Sequence, residues 1–305
     1  MKKTILLVLI VSLFAACKSA PPVPPPPAEE NPNVGPGLQV VIPELFNPDP
    51  DIVDDVITIS IAVSHPVDIK DWSITIHPDR QRVQTANPEG QTTTRQRANQ
   101  GQRRRFFEAT GTGTPPAQFA WDGKSTSRPG EMVQSATDYQ FILAVNDIYG
   151  NSTTHEGLIT VGIIVRREGD NLRIVVPAIS FQADRSNFTQ PASDLTEEQI
   201  RANRMVIGRI ANALNRYPDY KITIEGHANP IHASGTAQHR NYEPTLRTLS
   251  EQRARAVGEF LVQNHNIDET RLSFVGMGST KTVVDFRDDE DEKWKNRRVE
   301  FLLQK

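Results

Sequence analysis

The residues with the clearest potential for specific chemistry lie between positions 222 and 257. The run Ile222–Pro230 (ITIEGHANP) has the alternation of a short strand, which a glycine ends before a long polar loop. Downstream, the sequence predicts a helix that begins at Ser250, a good N-cap residue, with Arg253 in its first turn. A guanidinium beside free first-turn N–H groups would bind a carboxylate. This pattern predicts a small anion site, and the alternative is an arginine that simply points into solvent.

Further elements must position this site. Thr196 and Gln199 have the spacing of a capping box, which predicts the start of a second helix, and Pro218 follows its end. Alternating apolar residues predict strands near residues 173–181 and in the last residues of the chain, from Val299 onward.

The chain from about residue 179 to its end resembles the OmpA-like periplasmic domain found in Pal and MotB. The residues that carry the resemblance occur in the expected order: Phe181, Gly226, His227, Leu249, Ser250, Arg253, Ala254, Val257, Arg271, Leu272, Gly276, Gly278 and Asn296 to Val299. The resemblance implies an α+β domain over residues 172–305, a mixed sheet with helices on one face and Phe181 in the first strand. It also implies a ligand, the peptide stem of peptidoglycan.

In that family, an aspartate after the glycine–histidine pair and the arginine of the LSxxRA motif hold the ammonium and carboxylate of a diamino acid. Arg253 matches the arginine, whereas Asn229 stands at the aspartate position and Leu246 where asparagine is common. The peptidoglycan-binding residues implied by the resemblance are Asn229, Arg253, Asn296 and Arg297. Because an asparagine lacks the charge that pairs with an ammonium, the alternative is an OmpA-like scaffold that has lost its glycan and serves as a protein-interaction module.

The first residues predict export and lipid attachment. Residues 1–16 combine Lys2 and Lys3 with an apolar run, the pattern of a signal peptide, and small residues before Cys17 resemble the bacterial lipobox. We expect Cys17, the only cysteine, to carry acyl chains that hold the protein on the periplasmic side of the outer membrane. An ordinary secretory signal with a chance cysteine is the alternative. Residues 17–37 are rich in proline, which predicts an extended tether or a partner motif.

Residues 38–168 have apolar residues at a period of two, in short runs separated by turn signals. This pattern predicts an all-β region, an antiparallel β-sandwich. The sequences WDG at 121–123 and DIYGN at 147–151 resemble immunoglobulin-like modules of bacterial surface and flagellar-hook-capping proteins. Such a sandwich would act as a spacer or as a surface for another envelope protein.

A basic segment, Gly90–Arg105, places five arginines among polar residues and predicts a long hairpin loop. It could contact an anionic glycan, lipid headgroups or nucleic acid, or it could be a solvated insertion with no partner. Nucleic acid is disfavoured by the export signal and by a net charge of -3.

Catalytic and metal sites are not expected. His227, His232 and His239 could be combined with Glu225 or Glu243, but their spacing is not that of a zinc-binding helix or turn. No nucleophile elbow, phosphate-binding loop or serine–histidine–aspartate pattern occurs in the sequence. We therefore expect a non-enzymatic protein without a metal or other cofactor, in which His227 has a structural role.

Overall fold

The computed structural model describes residues 31, 33–48, 55–79, 105–177, 179–287 and 290–305, without the side chains of residues 290 and 291. The predicted signal peptide, Cys17 and most of the predicted tether lie outside these residues, and so does the basic segment up to residue 104. The described residues from 33 onward belong to one unit. Within the part of the chain that is described, no helix is long and apolar enough to cross a membrane.

The N-terminal region is all-β, as its period of two predicts. Its strands are β1 (Gly37–Val41), β2 (Ile57–Ser64), β3 (Ile69–Pro78), β4 (Phe107–Thr112), β5 (Gln118–Trp121), β6 (Asp138–Asp147) and β7 (Ser152–Thr160). They form two antiparallel sheets with the orders β1-β2-β5 and β4-β3-β6-β7. Alternate residues of β2 and β6 are buried, and side chains from both sheets share one core that contains Trp121 and Tyr139. Its immunoglobulin-like character stays a prediction.

The C-terminal region combines helices with a mixed sheet. Its elements are β8 (Val165–Glu168), β9 (Asn171–Val176), α1 (Glu197–Asn215), β10 (Lys221–Gly226), α2 (Ala237–His265), β11 (Leu272–Gly276), β12 (Val299–Gln304) and two 3₁₀ helices, η1 (Glu269–Arg271) and η2 (Glu290–Asn296). The strand order is β11-β10-β12-β9-β8, and β10 and β11 are the parallel pair. Apolar residues of both helices and of β9, β10 and β12 form one core. Both helices therefore cover the same face of the sheet.

The helix start predicted at Ser250 is wrong. Helix α2 begins well before it, where the Thr236 hydroxyl caps the helix by accepting a hydrogen bond of 3.2 Å from the His239 N–H. The first half of α2 is polar and mostly exposed, so it lacks the apolar periodicity that identifies a helix. Ser250 is buried in the middle of α2.

Two other placements differ from the sequence expectations. Phe181 lies after β9 and not within the first strand. Strand β8 falls in the range predicted for the sandwich, 38–168, but it pairs with β9 in the C-terminal sheet. Apolar alternation identifies a strand without identifying its neighbours, because pairing depends on contacts distant in sequence.

Two glycines allow α2 to pack closely against the ends of β10 and β11. A Cβ atom on Gly226 would lie 1.9 Å from the carbonyl oxygen of Ser250, and one on Gly276 would lie 2.0 Å from that of Arg247. Both obstacles are backbone atoms, which cannot move aside as a flexible side chain can. The glycines thus bring the middle of α2 against the segments that follow the two strands.

Candidate functional site

A cleft of about 250 Å³ lies where α2, η2 and the segments after β9 and β10 meet. Among the expected ligand-binding residues, Asn229, Arg253 and Arg297 line this cleft. Phe181 and Trp294 line it as well. The structure therefore brings together three of the four residues implied by the resemblance.

Arg253 is held in the cleft by the segment that follows β9. Its Nε donates a hydrogen bond of 3.0 Å to the carbonyl oxygen of Arg185, and its Nη2 donates one of 3.4 Å to that of Gln182. Its guanidinium carbon lies 5.0 Å from the centre of the Phe181 ring. Arg253 lies in the interior of α2 and is buried. The predicted anion site built from first-turn N–H groups is therefore wrong, and the solvent-directed alternative is wrong too.

Arg253 makes no hydrogen bond to a carboxylate of the described residues, and both of its hydrogen bonds go to neutral carbonyl groups. Burial and the like charge of Arg297 lower the pKa of Arg253 to about 10, against the opposing effect of Asp184. The guanidinium remains cationic at neutral pH. Buried charges are normally paired, so this position favours an anionic ligand.

Two further polar atoms in the cleft are buried without a hydrogen-bond partner among the described residues. They are the acceptor Oδ1 of Asn229 and the donor Nε1 of Trp294. A buried polar atom without a partner costs about 1–3 kcal/mol. A ligand that donates to Asn229 and accepts from Trp294 would remove both costs.

The carboxylate of Asp184 lies at the exposed edge of the cleft. Asp184 has a φ of 51°, in the left-handed region that aspartate and asparagine tolerate better than most residues. Sequence reasoning missed both Asp184 and Trp294. Their positions in the sequence could have indicated them, since Asp184 comes shortly after Phe181 and Trp294 comes shortly before Arg297.

The expected role of Asn296 in ligand contact is not supported by its position. Asn296 is fully buried and is not part of the cleft lining. Its Oδ1 accepts hydrogen bonds of 2.8 and 3.0 Å from the N–H groups of Val283 and Val284, and its Nδ2 donates one of 2.8 Å to the Val284 carbonyl. Because these bonds use both ends of its amide, Asn296 fastens the 283–284 segment to the end of η2.

Buried ion pairs attach η2 to the N-terminal β region. The ammonium of Lys295 donates to the carboxylates of both Glu131 and Glu292. Arg128 lies 3.7 Å from the same Glu292 carboxylate. The side chains of Lys295 and Glu292 are only 8% and 2% exposed. Removal of one partner from such a buried cluster would leave an uncompensated charge, so these contacts fix η2, which contains Trp294.

A separate cluster of Glu225, His227 and Glu300 has ligand atoms close enough to hold a metal ion. However, Arg173 Nη1 lies 3.2 Å from Glu225 and 2.7 Å from Glu300, and Arg298 Nε donates to Glu300 at 2.6 Å. The two guanidinium groups already neutralise these carboxylates and would repel a cation. We therefore assign this cluster to the ionic network of the sheet.

Comparisons with known proteins find a family match in the C-terminal region. Residues 181–297 match the model of the OmpA family. The chain is 31% identical over 108 residues to outer membrane porin F of Pseudomonas aeruginosa, a match covering 35% of this chain and 28% of the porin. It is 32% identical over 112 residues to the peptidoglycan-associated lipoprotein of Brucella melitensis, covering 36% of this chain and 60% of that protein. Each match thus spans less than two thirds of the relative.

Two solved structures are similar over nearly half of this chain. The periplasmic domain of Helicobacter pylori MotB is 20% identical with a TM-score of 0.36, covering 47% of this chain and 79% of that one. The cell wall anchor of the T6SS from Pseudomonas aeruginosa is 21% identical with a TM-score of 0.34, covering 47% of this chain and 87% of that one.

Proposed function

Because the C-terminal region of the chain is an OmpA-like domain, we propose that it binds the peptide stem of peptidoglycan, without a covalent bond, in the cleft around Arg253. One observation carries the proposal. Three residues that line a single cleft have unmet polar requirements: Arg253 has a buried cation, Asn229 an unpaired acceptor and Trp294 an unpaired donor. The end of a diamino acid side chain, with its carboxylate and ammonium, meets all three requirements.

Each end of this zwitterion has a partner in the cleft. The carboxylate is bound by Arg253, with support from the charge of Arg297 and the N–H of Trp294. The ammonium donates to Oδ1 of Asn229, while Asp184 supplies the negative charge that an asparagine lacks. Charged hydrogen bonds are about twice as strong as neutral ones, so Asn229 binds the ammonium more weakly than an aspartate would. The attraction between Asp184 and the ammonium offsets part of this loss.

The remainder of the chain gives this binding a place in the cell envelope. Acyl chains on Cys17 anchor the protein to the inner leaflet of the outer membrane, and residues 17–37 extend from it into the periplasm. The region 38–168, with its immunoglobulin-like strand pattern, is a spacer or a surface for another envelope protein. The protein thereby links a membrane to the cell wall. The name of the Brucella relative, a peptidoglycan-associated lipoprotein, combines the same two properties.

Isothermal titration of the purified full chain with a stem tripeptide that ends in diaminopimelate tests the proposal. We expect Arg253→Gln to bind about 10- to 100-fold more weakly, because it removes the charged partner of the carboxylate. The matched control is Arg255→Gln, which lies on the exposed side of α2 and pairs with Glu251 at 3.2 Å. This control should bind like the unaltered chain.

A second variant separates ligand contact from support of the fold, since Arg253 also holds two carbonyl groups. Trp294→Phe leaves both Arg253 hydrogen bonds in place and removes the Trp294 N–H together with part of the indole ring, so we expect about 3- to 10-fold weaker binding and a small loss of stability from the space left behind. If the unaltered chain binds neither the tripeptide nor isolated sacculi, the proposal fails. The scaffold that has lost its glycan and serves as a protein-interaction module then replaces it.

A further inference from the structure

The cleft continues as a strip of side chains along α2. Tyr242, Leu246, Leu249 and Arg253 follow one another at intervals of four, three and four residues, so they lie on one side of the helix. Leu246, Leu249 and Arg253 line the cleft. Tyr242 lies one turn earlier, and 38% of its surface is exposed. The ligand groove therefore has an open end with an aromatic ring beside it.

Tyr242 is held by a second ring from the segment after β10. The rings of Tyr242 and His232 pack edge to face, with centroids 6.2 Å apart and planes at 87°. Ile231, the residue before His232, lines the cleft and is 48% exposed. We call Ile231, His232 and Tyr242 the aromatic platform. It is a partly exposed apolar surface continuous with the cleft, and its rings carry polar atoms at their edges.

We propose that the aromatic platform binds a sugar ring of the glycan strand that carries the stem peptide. This inference rests on the proposed function. One face of a pyranose ring presents C–H groups that pack on an aromatic surface, while the hydroxyl groups at its edge need polar partners. A tyrosine and a histidine offer both, an apolar ring and a hydrogen-bonding atom at its edge.

The length of the groove fits this occupant. About three helical turns separate Tyr242 from Arg253, which is about 16 Å along the axis of α2. When the diamino acid, the third stem residue, lies at Arg253, two residues and a lactyl ether separate it from the sugar. An extended chain spans at most about 3.5 Å per residue, so the sugar begins about 10 Å from the diamino acid. The ring itself then reaches the platform.

The test compares two ligands on the full chain: the free stem tripeptide and the same tripeptide attached to N-acetylmuramic acid. We expect the unaltered chain to bind the sugar-linked form about tenfold more tightly. Tyr242→Ala should abolish this difference while its affinity for the free tripeptide stays within about twofold. Tyr242→Phe keeps the ring and should retain most of the preference.

Each other outcome overturns the inference. A Tyr242→Ala variant that loses equal affinity for both ligands would place Tyr242 in the peptide site alone, and one that loses none would leave the platform without a ligand. Failure of the proposed function gives a different result, because the unaltered chain would then bind neither ligand.

Discussion

Lys295 of the C-terminal region donates a hydrogen bond to Glu131 of the N-terminal β region. Lys295 follows Trp294 directly in η2, and Arg297 comes just after that helix. Trp294 and Arg297 both line the cleft. The contact between Lys295 and Glu131 therefore supports one wall of the cleft from outside the OmpA-like region.

The first prediction concerns Glu131→Gln. Removal of this charge leaves buried Lys295 with fewer anionic partners, so we expect the free energy of unfolding to fall by about 1–3 kcal/mol. Tripeptide binding should weaken severalfold, because η2 loses its attachment. Urea unfolding and calorimetric titration measure the two effects.

The control is Glu108→Gln, whose partner Arg105 is exposed, and it should change stability by less than about 1 kcal/mol. Unchanged stability and affinity in Glu131→Gln would contradict the role of this contact.

The second prediction concerns the negative charge of the cleft. Asp184→Asn removes the carboxylate from the cleft edge and should weaken binding of the tripeptide by about 3- to 10-fold. Asn229→Asp places a charge where the ammonium is expected to lie, and it should strengthen binding by a similar factor. The double variant then restores affinity to near that of the unaltered chain. If Asp184→Asn binds normally, Asp184 has no part in the recognition of the ammonium.

The capping box of α1 shows which features a local pattern can predict. Thr196 Oγ1 accepts from the Gln199 N–H at 3.2 Å, and the Thr196 N–H donates to Gln199 Oε1 at 2.8 Å. All of these atoms lie within one turn, so spacing in the sequence determines them. Ser250 has the same suitability for a cap, yet its hydroxyl donates to the Arg247 carbonyl and accepts from the Gly278 N–H. Its second partner is distant in sequence, and no local pattern indicates it.

Prediction of the candidate site from the sequence had the same limit: it succeeded for residues in recognisable motifs and failed for contacts that depend on packing. The resemblance placed Asn229, Arg253 and Arg297 together because their motifs occur in the expected order. It could not separate Asn296 from its neighbour Arg297, since the two differ only in the direction of the side chain at the end of η2. The contribution of Trp294 depends on a buried N–H without a partner, which is a property of packing and not of the sequence motif.

The third prediction uses two glycines as a matched pair. In Gly226→Ala the new methyl group would overlap the Ser250 carbonyl oxygen, so α2 must move away from β10. We expect a loss of more than about 2 kcal/mol in the free energy of unfolding. Gly208→Ala lies inside α1, where the new methyl group would have its nearest neighbour at 3.6 Å. This variant should gain about 0.5–1 kcal/mol. Thermal unfolding checks both, and equal effects of the two substitutions would refute the packing argument.

The fourth prediction concerns Glu225 and acid. The nearby imidazole of His227, with the charges of Arg173 and Lys281, lowers the pKa of Glu225 to about 2, although burial opposes this shift. An unfolded glutamate has a pKa of about 4.3. Because the folded pKa is the lower one, the stability that Glu225 contributes is complete above about pH 4.3 and is lost as the pH falls through about 2.

Glu225→Gln should therefore be less stable than the unaltered chain by about 1–3 kcal/mol at pH 7, and this difference should shrink steadily between about pH 4.3 and 2. Guanidinium denaturation at several pH values measures the difference. Glu197→Gln is the control, because the Glu197 carboxylate is exposed and lies 3.8 Å from the guanidinium of Arg201, which is exposed too, so its substitution should have little effect at any pH. A difference for Glu225→Gln that stays constant from pH 7 to pH 2 would show that its loss of stability comes from altered packing and not from charge.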